Sequence, residues 1–191
     1  MKVILSCLLL TLTACSTPIP TTYIEPFLQD GELSGTTVAG AGWVLNDGVI
    51  EPNPTEDMTY LTSRGVYDNF ILTLEFYPVG NVNSGVFIRC QTGQEVNPTN
   101  CYEINIWDDH PNQDYRTGSI VTRALPLEKV STVGQWNTGE VIADPYEISV
   151  RINGVVTAVY ENNDLASGFL ALQRANAETV RFRNVRLEPL N

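Results

Sequence analysis

Tyr146-Glu147-Ile148-Ser149-Val150-Arg151-Ile152-Asn153-Gly154-Val155 decides the fold class. Apolar and polar residues alternate up to Asn153-Gly154, a pair that accepts the positive φ of a two-residue hairpin turn. A strand pleat puts Ile148, Val150 and Ile152 on one side and Glu147, Ser149 and Arg151 on the other. The same signature recurs outward in both directions. Asn46-Asp47-Gly48 marks a second hairpin. Strand-like runs occur at 43–44, 70–77, 86–89, 102–107, 119–122, 146–152, 155–160, 169–173 and 180–187. Gly and Pro recur between them, and no segment keeps a 3.6-residue period long enough for a helix of more than about two turns. Short strands separated by turn signals predict an all-β sandwich or barrel.

The chain has 191 residues, the size of one large domain. With 22 acidic against 11 basic residues its formal charge is -11. That balance excludes nucleic acid as a partner, since phosphate binding needs a basic stripe. An acidic surface also serves solubility.

The first residues read as a processing signal. Lys2 precedes a short apolar run, too short to cross a bilayer, which ends in Leu12-Thr13-Ala14-Cys15. This resembles the lipobox of bacterial lipoproteins, so residues 1–14 are expected to be cleaved and Cys15 to carry lipid. A plain secretory signal is the alternative. Ser16 follows the cysteine where an aspartate would imply inner-membrane retention. An exported, lipid-anchored protein of the cell envelope, at the outer membrane, is therefore expected, with its only membrane contact through the anchor. Residues 15–26, rich in Ser, Thr and Pro, read as a tether, and 27–191 as one domain. Cys90 and Cys101 flank a polar, turn-rich stretch and are expected to form a disulfide in an oxidising compartment.

Alternation also sorts the middle of the chain into two faces. Val86 and Ile88, Ile104 and Ile106, and Leu170 and Leu172 point to the core. Gly85, Phe87 and Arg89, then Glu103, Asn105 and Trp107, then Phe169, Ala171 and Gln173 point away from it. Aromatic rings, amides, a carboxylate and a guanidinium on one surface suit a sugar, whose C–H face stacks on rings while its hydroxyls bond polar groups. A solvated face with aromatic cross-strand pairs would carry the same pattern.

At these residues the chain resembles the 3-keto-disaccharide hydrolase domain family, long a domain of unknown function, with a concanavalin A-like jelly roll of two antiparallel sheets. The resemblance runs over nearly all of 27–190. It rests on Trp43 with Asn46-Asp47-Gly48, Tyr67-Asp68-Asn69-Phe70, Asn83-Ser84-Gly85-Val86-Phe87-Ile88-Arg89, Tyr102-Glu103-Ile104-Asn105-Ile106-Trp107-Asp108, Leu172-Gln173 and Phe182-Arg183-Asn184-Val185. Two departures stand out. Asn105 occupies the family's usual glutamine position, and Arg174-Ala175-Asn176 replaces a stretch where many members carry an acid and a histidine.

The resemblance implies a glycoside already oxidised to a 3-ketone, which acidifies the C2 proton. A base removes that proton, the C1 oxygen leaves by elimination, and water adds back. The route needs a base, a stabiliser for the enediolate and an acid for the leaving group. Glu103 is the expected base or metal ligand and Arg89 the expected stabiliser. Asp108, Asp109 and His110, the only histidine, are candidates for acid–base chemistry in a loop. Asn83, Asn105, Arg123 and Gln173 are expected to bind hydroxyls, and Phe87 or Trp107 to stack on the ring. A divalent cation at Glu103 and Asp108 is compatible with these residues, but no complete ligand set is legible. A non-catalytic carbohydrate-binding lipoprotein of the same fold is the competing reading, and a structural envelope protein the third.

Overall fold

The computed structural model describes residues 23–54, 58–161 and 164–190. The expected signal segment and the lipidation site Cys15 lie outside these residues. Fourteen strands are present among them: Leu28–Gln29 (β1), Glu32–Leu33 (β2), Thr36–Val38 (β3), Trp43–Asn46 (β4), Val49–Pro52 (β5), Thr59–Thr62 (β6), Phe70–Pro78 (β7), Ser84–Cys90 (β8), Tyr102–Ile106 (β9), Asn137–Ala143 (β10), Glu147–Ile152 (β11), Val155–Glu161 (β12), Phe169–Arg174 (β13) and Val180–Pro189 (β14). A single 3-10 turn covers Gln113–Tyr115.

The strands form a seven-stranded sheet in the order β12-β11-β10-β7-β14-β5-β4 and a five-stranded sheet in the order β3-β6-β13-β8-β9, with β1 and β2 as a separate ribbon. Their inner faces share one apolar core. Leu72, Leu74, Phe76, Val150 and Phe182 from the larger sheet belong to the same cluster as Leu61, Val86, Ile88, Ile104 and Leu172 from the smaller. Each such side chain contributes roughly 1.5–3 kcal/mol by leaving water. The two turns form as the sequence predicts, with Asp47 at φ 48 and Asn153 at φ 52.

Several strand readings need correction. Residues 119–122 are not a strand but isolated bridges of Ile120 to Ile104 and Ala124. Strand β10 gives no apolar run, because Asn137, Thr138, Gly139 and Glu140 open it. Two flanking partners, β7 and β11, hold it in the sheet. Strand β6, all of it buried, was equally unmarked by alternation. Ile24, within the stretch expected as a tether, exchanges both backbone hydrogen bonds with Leu187 at 2.8 Å.

Candidate functional site

The outer face of the five-stranded sheet carries the site. Cross-strand register sets Tyr60 (β6), Gln173 (β13), Gly85 (β8) and Asn105 (β9) in one row. Thr62, Ala171, Phe87 and Glu103 form the next. Gly85 leaves a gap in the first row, and Glu103 leans into it. Its Oε1 lies 3.3 Å from the point a Cβ on Gly85 would occupy.

Glu103 is only 7% exposed. None of the ion pairs among the described residues involves it. Desolvation alone pushes its carboxyl up to about 7. The amides beside it are half-used. Gln173 donates from Nε2 to the Tyr60 hydroxyl at 3.2 Å, while its buried Oε1 accepts no bond. Asn105 donates from Nδ2 to the Tyr115 carbonyl, and its buried Oδ1 is likewise unpartnered. Two buried acceptors without donors are costly unless a ligand or water supplies hydrogens. Sugar hydroxyls can.

Trp107 extends the face beyond β9, half-buried, with its indole N–H donated to Asn81 Oδ1 at 2.5 Å. His110 stands edge-on to Trp107 with ring centroids 4.4 Å apart, and Tyr115 follows at 5.7 Å. This puts His110 at the rim, its Nδ1 2.7 Å from the Asn112 carbonyl oxygen and 3.0 Å from the Asn112 backbone nitrogen. Asn83, two residues before Gly85, lies on the same side of the pleat and is half-buried.

Four expected site residues do not reach the open part of this face. Phe87 is on the predicted face but fully buried, packed edge-on to Tyr60 at 5.7 Å and covered in a cluster with Val96 and Ala171. It offers no surface for stacking. Val96 belongs to the loop stapled by the Cys90–Cys101 disulfide, which forms as expected.

Arg89 leaves the face altogether. The pairing of β8 with β13 shifts register between Phe169 and Ala171, and Arg89 takes φ 52. This bulge breaks the two-residue period, so that Cys90 takes the outward place expected for Arg89. The Arg89 guanidinium is buried and donates to the carbonyls of Asp68 at 2.9 Å, Asp144 at 3.0 Å and Leu165 at 3.2 Å. Gly168 permits the bulge, since a Cβ there would sit 2.3 Å from the Arg89 carbonyl carbon.

Asp108 is committed to its own loop. It accepts from the Thr117 hydroxyl at 2.6 Å, the Thr132 hydroxyl at 2.8 Å and the Thr132 backbone N–H at 2.6 Å. It therefore does not join Glu103 in a ligand pair, and no group of three or more His, Cys, Asp or Glu side chains gathers among the described residues. Asp109 is exposed beside it. Arg123 pairs with Asp164 and lies over the Tyr102 ring, whose side of β9 faces away from Glu103.

The sequence reading gives neither Tyr60 nor Gly85 a role at the site. Tyr60 sits in a strand that alternation did not mark, although its ring and hydroxyl were a signal of the same kind as Phe87 and Gln173.

A family model described as a 3-keto-alpha-glucoside-1,2-lyase-like domain matches residues 25–188. The chain belongs to this family. No curated protein sequence matches it. Among solved structures, a provisionally named glycosyl hydrolase of Parabacteroides distasonis ATCC 8503 is 22% identical with a TM-score of 0.73, covering 88% of this chain and 100% of that one. The carbohydrate-binding module CBM66 of Bacillus subtilis is 14% identical with a TM-score of 0.63, covering 80% and 94%. The β-glucanase of Bacillus licheniformis is 13% identical with a TM-score of 0.61, covering 92% and 100%. These likenesses identify the sandwich as the jelly roll expected from the motifs. Family and fold together support a carbohydrate-related function.

Proposed function

We propose that this protein cleaves 3-keto-glycosides by elimination at C2, with Glu103 as the base. The observation that carries the reading is a lone, desolvated carboxylate over the Gly85 gap, poised near neutrality between two amides with free acceptor oxygens. An unpaired carboxylate of this kind accepts a carbon-bound proton better than an ordinary one, because its conjugate acid is weaker. Asn105 Oδ1 and Gln173 Oε1 would accept from ring hydroxyls and set the sugar's orientation. Trp107 is the half-exposed ring available for stacking.

With Arg89 held elsewhere, the charge of the enediolate falls to neutral donors on this face. The Gln173 amide is the foremost, since besides Tyr60 it meets only the Met58 sulfur, at 4.0 Å. The proposal also keeps the domain tethered through lipid on Cys15 in the cell envelope. The mass of the mature N-terminal peptide, against that of Cys15→Ser, tests the anchor.

The test of function is release of nitrophenol from 4-nitrophenyl 3-keto-α-glucoside by the purified protein, with the unoxidised glucoside as control. Release confined to the keto substrate and lost in Glu103→Gln supports the proposal. Release unchanged in Glu103→Gln removes that residue from the mechanism.

A second reading, carbohydrate binding without turnover, is favoured by the placement of the Arg89 guanidinium off this face, on the carbonyls of Asp68, Asp144 and Leu165. It predicts saturable glycoside binding with no nitrophenol.

A further inference from the structure

Elimination needs a proton for the departing glycosidic oxygen as well as a base at C2, and Glu103 cannot supply both in one step. The loop residues expected to provide the acid do not: Asp108 is saturated by Thr117 and Thr132. His110 is set off at the rim behind Trp107.

The hydroxyl of Tyr60 meets the requirement. Glu103 and Tyr60 rise from β9 and β6, which flank β8 and β13 in the sheet. Strands β9 and β6 are about 14 Å apart at the usual strand spacing. Both side chains lean inward, Tyr60 to Gln173 of β13 and Glu103 to Gly85 of β8. Glu103 reaches the Gly85 gap, and the Tyr60 ring reaches Phe87, the next outward residue of β8. Gln173 and Gly85 are cross-strand partners, so the two reactive ends sit at neighbouring positions of one row.

The Tyr60 hydroxyl is also wired as a donor. Its oxygen accepts from Gln173 Nε2, so its own hydrogen is directed elsewhere, to the Met58 sulfur at 3.1 Å. A thioether is a weak acceptor, easily displaced by a sugar oxygen. Burial raises the hydroxyl's pKa, the bond from Gln173 lowers it and the charge of Glu103 raises it, so the proton stays on at neutral pH.

We infer that Tyr60 is the general acid that protonates the leaving glycosidic oxygen. The inference rests on the elimination reading above. Glu103 takes the C2 proton and the C–H electrons form the enediolate. Its collapse restores the C3 carbonyl and forms the C1–C2 double bond as the C1–O bond breaks, and the leaving oxygen takes the Tyr60 proton. In the hydration that follows, water adds its oxygen to C1 and gives a proton to the Tyr60 phenolate, while protonated Glu103 returns a proton to C2. The sum is keto-glycoside plus water giving keto-sugar plus alcohol, with both groups restored.

The test compares Tyr60→Phe with the unsubstituted protein on two substrates, methyl and 4-nitrophenyl 3-keto-α-glucoside. Phenylalanine keeps the ring against Phe87, and a thermal midpoint confirms the fold. An alkoxide needs the acid and a nitrophenolate does not. The variant should lose on the order of 10²-fold or more on the methyl substrate and stay within about threefold on the nitrophenyl one. Equal losses on both substrates, or none on either, overturn the assignment. Absence of cleavage of both by the unsubstituted protein sinks the elimination reading itself, and this assignment with it.

Discussion

Glu103 occupies the space that a side chain on Gly85 would take, its Oε1 3.3 Å from the position of the missing Cβ and its Cγ 3.4 Å away. The carboxylate of β9 is thereby bent over its neighbour β8 rather than standing upright into solvent. Absence of a side chain on one strand positions the reactive group of the next.

Gly85→Ala tests that relationship. The backbone there has an ordinary negative φ, so alanine fits the strand, but its methyl would press on the Glu103 carboxylate and on the Ile104 carbonyl, also at 3.3 Å. Displacement of a reacting group by about 1 Å costs about 10²-fold in turnover. The variant should melt close to the parent and lose about that factor in kcat/KM. A parent-like kcat/KM would show that the gap is not part of the site.

The raised pKa of Glu103 sets two pH dependences. As a base it must be ionised, so kcat/KM should climb as pH rises to about 7 and level off above it. Stability should run the other way. The folded value lies above the unfolded one near 4.5, so between those values the folded state binds more protons, and stability falls as pH rises through the window. Glu103→Gln removes this slope and should be more stable than the parent at pH 8, by about 3 kcal/mol at most. Urea titrations of both proteins at pH 5 and pH 8 measure it.

Arg89 is expected to act on stability and not on chemistry. Its guanidinium joins the carbonyls of Asp68, Asp144 and Leu165. Arg89→Met strands those buried acceptors and should cost on the order of 3 kcal/mol. At a temperature where the variant is fully folded, its KM for the nitrophenyl substrate should match the parent's. A large rise in KM would return Arg89 to the site.

The Cys90–Cys101 disulfide closes a short loop whose Val96 joins the cluster that covers Phe87. Breaking it by Cys90→Ala with Cys101→Ala should cost about 3 kcal/mol by the loop-entropy estimate. Loss of that cover should also expose Phe87, read as a rise in dye binding by the native state. An unchanged melting curve would show that the loop is held by its other contacts.

Much of the site was legible because strand alternation is local. Glu103, Asn105 and Trp107 share a side by pleating alone, and Gln173 joins them by the same rule on β13. Leu170 and Leu172, with Ile104 and Ile106, are core for the mirror of that reason. The readings that failed depend on distant residues. Arg89 follows the pattern of its neighbours in sequence, yet a bulge accommodated by Gly168, nearly eighty residues on, turns it into the end of the sandwich. Phe87 is outward by alternation and buried because Tyr60, Val96 and Ala171, from other segments, gather in one cluster with it. Asp108 looks free until Thr132 arrives from another loop.

Sequence by itself determined that the chain is an all-β sandwich of its family, with Glu103, Asn105 and Gln173 on one face, because hydrophobic period and turn chemistry are properties of neighbouring residues. Only the tertiary structure decided which members of that face stay open to a ligand, because register, bulges and loop cover arise between segments far apart in the chain. Tyr60 and Glu103 share a face for that reason alone: four paired strands bring one to Gln173 and the other to Gly85, its cross-strand partner.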